Sequence, residues 1–156
     1  MPDEIEVSVK EDFRELINKD KMRKIVQQVL ELEKAPSPCE MSLVFTDLET
    51  IHRLNRDYRG IDSPTDVLSF CMASEEEKGP LAFILPPDDI AHLGEVLISY
   101  PQAAVQATAQ GHPIDMELVI LLIHGILHLL GYDHEETSDE IRMQAREKQL
   151  RHDIKL

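Results

Sequence analysis

The chain has 156 residues, 42% apolar and 29% charged, with 30 acidic against 16 basic side chains and a formal net charge of −14. That balance excludes nucleic-acid binding driven by the overall field, so a polyanion substrate needs a local basic surface, a metal ion or a helper protein. The length fits a single domain, residues 1–156, with a sizeable core, and the longest apolar run, Leu118 to Ile123, is far too short to cross a bilayer.

The acidic opening MPDEIEVSVKEDF carries no apolar leader, and Cys39 and Cys71 stand apart with no C-x-x-C spacing. These features predict free thiols and a cytoplasmic location. Ile5, Val7 and Val9 alternate, which predicts a strand over 4–9. Phe13, Leu16 and Ile17 keep helical spacing. The next helix places Met22, Ile25, Val26, Val29 and Leu30 on one face, with Asp20 as its N-cap, and Pro36 and Pro38 close the unit. Met41, Leu43 and Phe45 alternate as a second strand. Thr46 to Glu49 has the form of a capping box, opening a helix to about Tyr58 that stops at Gly60.

Val67-Leu68-Ser69-Phe70 reads as a buried strand, and 73–92, with Glu75-Glu76-Glu77, Pro86-Pro87 and Asp88-Asp89, as a loop. Val96-Leu97-Ile98 gives a fourth strand. Pro101 suits the first turn of an Ala-rich helix ending at Gly111. Asp115 caps a helix over 116–130 that is apolar nearly all round and therefore buried. Thr137 to Glu140 opens a last helix to about Arg151. The order β-α-β-α-β-β-α-α-α predicts an α/β fold (α+β-like): a small, mixed, mostly parallel four-stranded sheet packed on about five helices. The 116–130 helix is its central one.

That helix begins the stretch with the strongest chemical signal, His124-Gly125-Ile126-Leu127-His128-Leu129-Leu130-Gly131-Tyr132-Asp133-His134. His124 and His128 are four apart and share one helical face. Gly131 stands where a helix ends in the left-handed conformation, and the reversal there brings His134 back towards the pair. Three imidazoles that leave one tetrahedral position open are the pattern of a catalytic zinc site. A lone core histidine is the bland alternative, but three with a glycine at the break are hard to reduce to it. The spacing matches the metzincin protease signature except directly after the first His. That signature has its general-base Glu there, and this chain has Gly125.

The run from Leu54 to Phe70 (Leu-Asn-Arg-Asp-Tyr-Arg-Gly-Ile-Asp-Ser-Pro-Thr-Asp-Val-Leu-Ser-Phe), the run Leu93-Gly94-Glu95-Val96-Leu97-Ile98-Ser99 and the histidine block together resemble the YbeY family of bacterial rRNA maturation factors. Glu95 stands where many members have Asp, and the 73–92 loop is long. The resemblance implies a metal-dependent, single-strand-specific endoribonuclease acting in 16S rRNA 3′-end maturation and ribosome quality control. It implies one Zn2+ per chain on His124, His128 and His134, and an important Arg59. It also implies as partners the small ribosomal subunit, one of its proteins and a ribosome-assembly GTPase.

The residue chemistry agrees with that implication. Arg59 carries a guanidinium fork suited to a phosphate, and Arg53 and Arg56 add positive charge on the same helix; their bland readings are an ion pair with Asp57 or Asp62 and a solvated face. Asp133 is a candidate for orienting a ligand histidine, and Asp66 either lines the site or completes a turn. Glu117, Asp133 and Glu135 are candidates for a general base that spacing does not mark. His52, His92, His112 and His152 show no ligand spacing and read as surface histidines. Two other readings compete: a metallohydrolase of another substrate, such as a peptide, and a non-enzymatic ribosome-assembly factor whose zinc only orders the 124–134 turn.

Overall fold

The computed structural model describes residues 3–71, 90–132 and 136–154. Four strands form one sheet: β1 (Glu4–Val9), β2 (Cys39–Thr46), β3 (Val67–Cys71) and β4 (Ala91–Ser99), in the order β1-β2-β4-β3. β1 and β2 pair in parallel, as do β2 and β4, while β3 runs antiparallel to β4 at the edge. The described residues form five α-helices, α1 (Lys19–Leu32), α2 (Leu48–Arg59), α3 (Tyr100–Gln110), α4 (Ile114–Leu129) and α5 (Thr137–Asp153). This is the mixed, mostly parallel α/β fold that the sequence predicts. No single described helix is long and apolar enough to cross a membrane.

The two faces of the sheet carry different layers, as the period-2 alternation of strand side chains requires. Val96 and Ile98 point into the main core with Leu43, Phe45, Val26, Val29 and much of α4. Leu97 and Leu68 point the other way, onto Ile51 of α2, with Leu54 and Phe70 beside them. So α4 and α2 lie on opposite faces. α4 touches α1, α3, α5, β3 and β4, which makes it the central helix.

Several predicted boundaries shift for identifiable reasons. Of the helical spacing at Phe13, Leu16 and Ile17, only a short 3-10 turn forms, over Glu11–Phe13. Asn18, not Asp20, caps α1, by accepting from the Lys21 amide; Asp20 pairs instead with Arg23 at 2.9 Å. Asp115 lies inside α4 and binds Lys21 at 3.0 Å, while Pro113 occupies the cap position. Thr137 is the first residue of α5, and Glu136 before it makes no side-chain cap. Most of the expected 73–92 loop lies outside the described residues, but Ala91 and His92 already belong to β4. The pairing of β2 with β4 slips there, leaving Leu93 unmatched as a bulge. Gly94 follows with φ +132, and a Cβ on it would stand 2.1 Å from the Phe70 carbonyl oxygen, so no other residue fits.

Asp47, not Thr46, caps α2. Its carboxylate accepts from the Thr50 amide at 2.6 Å and pairs with Lys10 at 2.6 Å. The Lys10 hydrogen bond, then the Thr50 amide, hold its pKa down at about 2. A carboxylate depressed on folding adds stability above its unfolded pKa of about 3.9 and loses it as pH falls towards the folded value. Replacing Asp47 by Ala is expected to cost about 1 kcal/mol at neutral pH, after allowance for solvent screening. The deficit should vanish between about pH 4 and 2, where the parent carboxylate also protonates. Urea unfolding at several pH values tests this; a deficit that persists at pH 2 would exclude linkage through this carboxylate.

Candidate metal centre

His124 and His128 occupy successive turns near the C-terminal end of α4, both half-buried. Their Nε2 atoms are 3.2 Å apart, and the rings stand nearly perpendicular, at 78°. Two imidazole nitrogens each ~2.05 Å from one ion at a tetrahedral angle would lie about 3.3 Å apart. The pair therefore fits a single divalent transition metal. On its far side, His124 presents Nδ1 to the Glu147 carboxylate at 2.7 Å. A carboxylate behind a ligand histidine is the usual partner of a metal-binding imidazole.

Gly125 explains why no base follows His124. A Cβ there would lie 2.5 Å from Val96 Cγ1 and 3.2 Å from Ser69 Oγ, and Ser69 donates to the Gly125 carbonyl at 3.0 Å. Bare helix backbone rests directly on β3 and β4. A glutamate at this position would point into the sheet, away from the site.

After α4 the chain turns through Gly131 at φ +101. Tyr132 is then tied down: its hydroxyl donates to Glu33 Oε2 at 3.1 Å. Glu33, whose side chain is only 6% exposed, also takes the Arg146 guanidinium, which reaches on to the Leu32 carbonyl. Burial first, and the Glu33 carboxylate next, raise the Tyr132 pKa, so the phenol stays a donor at neutral pH. This knot joins the end of α1, the turn after α4, and α5. Asp133, His134 and Glu135 lie outside the described residues. Among the described residues no set of three or more ligand side chains converges.

The other predicted residues sit elsewhere. Arg53, Arg56 and Arg59 are exposed on α2, on the sheet face opposite α4. Arg56 pairs with Asp57 at 3.0 Å and His52 with Asp62 at 2.8 Å. Arg53 and Arg59 have no ion pair among the described residues. Tyr58, next to Arg59, meets Phe70 of the edge strand β3 edge-on. The Asp66 carbonyl accepts from the Ser99 amide at 2.9 Å, and its side chain meets Thr65, a role at the start of β3. Glu117 is buried beside Gln106 and His112 at the α3–α4 junction. His112 is therefore not a surface histidine, and His92 is held by Glu40 at 2.6 Å.

The fold and the imidazole pair define an α/β protein with a candidate transition-metal centre. Comparison with known proteins narrows this. The family model described as endoribonuclease YbeY matches residues 6–155. An endoribonuclease YbeY from Dehalococcoides mccartyi is 48% identical over 145 residues, covering 91% of this chain and 91% of that protein. One from Roseiflexus sp. is 38% identical, covering 94% of this chain and 89% of that protein. The solution structure of a Thermotoga maritima protein superposes with a TM-score of 0.58 at 25% identity, covering 95% of this chain and 87% of the other. The chain belongs to the YbeY endoribonuclease family.

Proposed function

We propose that this chain is a zinc-dependent endoribonuclease that cuts single-stranded RNA, with 16S rRNA 3′-end maturation and ribosome quality control as its setting. Family membership supports the reaction class. The observation that carries the metal reading is the 3.2 Å spacing of the two Nε2 atoms, with a carboxylate behind one ring. His124 and His128 would hold the ion, with His134 as third ligand, one Zn2+ per chain. When bound, such an ion polarises a phosphoryl oxygen and lowers the pKa of its water to about 7.

The chain's own residues bind and orient. Arg59, and Arg53 beside it, supply local positive charge on an acidic protein. The guanidinium of Arg59 matches the charge that grows on a phosphate as it is attacked. The basic face of α2 and the histidine face of α4 are separated by the edge strand β3. A flexible single strand crosses that edge readily, whereas a duplex resists such bending. The reading includes a cytoplasmic location and docking to the small ribosomal subunit, one of its proteins and an assembly GTPase, which would offset the weak overall attraction for RNA.

Arg59→Ala is expected to slow cleavage of a single-stranded rRNA fragment by about 100- to 1,000-fold. Its fold and metal content should be unchanged, because the side chain is exposed. Full activity in the variant would remove Arg59 from the mechanism. A parent that holds one zinc but cuts neither single-stranded RNA nor peptide would favour the assembly-factor reading.

A further inference from the structure

We infer that Glu147 is a positioning residue for the metal centre: it fixes the tautomer and ring orientation of His124. The inference rests on the metal reading above, and adds to it a residue that acts through a ligand.

The geometry supplies the argument. The Glu147 Oε1–His124 Nδ1 separation is 2.7 Å, within the range of charge-assisted bonds. A carboxylate only accepts, so Nδ1 must carry the proton and donate. With Nδ1 protonated, the neutral ring has its lone pair on Nε2, the atom that faces His128 Nε2. Only that tautomer can ligate through Nε2. A free imidazole divides between two tautomers and turns about its side-chain bonds, so the contact removes both sources of disorder before an ion arrives.

Glu147 is itself held. Its side chain is 19% exposed, and His124's is 32%. It lies on the inward stripe of α5 between Met143 and Leu150, buried to 1% and 0% exposure. Its neighbour Arg146 grips Glu33, which fixes the rotation of α5 against α1 and the Tyr132 turn. The carboxylate therefore comes from a braced helix. A solvated surface acid would face outward on the opposite side of α5.

The test uses the full chain, stripped with a chelator and titrated with Zn2+ against a competing indicator, and with Co2+ followed by its visible spectrum. Glu147→Ala is expected to weaken Zn2+ binding by about 10- to 100-fold. Glu147→Gln keeps an acceptor but not the charge, and should fall between the variant and the parent. Nitrogen-15 shifts of the chelated parent should show His124 as the Nδ1–H form, with mixed tautomers in Glu147→Ala. Should Glu147→Ala not fold, Glu147→Gln and Glu147→Asp carry the same comparison. Equal Zn2+ affinity and an unchanged His124 tautomer in folded variants would overturn the inference. So would an affinity loss matched by equal loss of chelated-state stability in all three. If the parent itself binds no Zn2+ or Co2+, the metal reading fails, which is a separate result.

Discussion

A chain carrying His128→Ala should bind zinc more than about 100-fold more weakly than the parent, because a lost ligand costs more than a lost supporting contact. Cleavage of single-stranded RNA should fall with it. The two Nε2 atoms lie 3.2 Å apart on a single helical face, the spacing that one chelated ion needs. Alanine leaves His124 in place, still held by Glu147, but with one nitrogen to offer. The helix itself should survive: alanine is the best helix former, and His128 is only half-buried. Elemental analysis and a thermal melt, run on parent and variant together, separate the outcomes. One zinc per chain retained by a folded variant would sink the ligand assignment.

The second large effect is at Gly125, and it concerns stability. Gly125→Ala places a methyl 2.5 Å from Val96 Cγ1, in a core position where Val96 has 0% exposure. Overpacking of that kind costs about 1–3 kcal/mol, against which alanine returns about 1 kcal/mol of helix propensity. Gly125→Glu restores the protease signature on paper and should do far more damage. It drives a carboxylate between α4 and the sheet, against Val96 and Ser69, at a cost of several kcal/mol. Against a total stability of about 5–15 kcal/mol, that leaves little or no folded protein. Urea unfolding of the two variants is the measurement. A Gly125→Glu chain as stable as the parent would mean that α4 does not lie this close to β3 and β4.

The sequence made the architecture legible wherever burial is periodic. The five apolar positions expected on one face of α1 are its five buried residues. The mixed, mostly parallel sheet that the element order predicts appears as two parallel pairs and the antiparallel β3–β4 pair. Helix starts were less legible, because capping signals are short and neighbouring polar residues compete for them. Asp47 outdoes Thr46 since a carboxylate can serve the Thr50 amide and Lys10 together. Asp115 is drawn off by Lys21, which is 94 positions away and invisible to local reading.

At the site, the helical repeat brought out His124 and His128, while Glu147 went unnoticed. A signal existed, since Glu147 is four residues after Met143 and three before Leu150, an acid on an apolar stripe. What it meets there depends on how α5 packs on α4, which no local spacing encodes. The placement of Arg59 on the opposite face of the sheet follows from topology and has no signature along the chain.

The contacts made by α5 bear on when the protein can become active during its own synthesis. Chains emerge from the ribosome N-terminus first and fold as they come. The sheet, α1 and α4 are all encoded before residue 137. Glu147 and Arg146 are not. A nascent chain that has delivered both histidines still lacks the carboxylate behind His124 and the cation that settles Glu33 beside Tyr132. An unfinished copy therefore holds its histidine-bearing helix without the brace that orders it. An endoribonuclease built this way orders the histidine face of α4 only after α5 has been made.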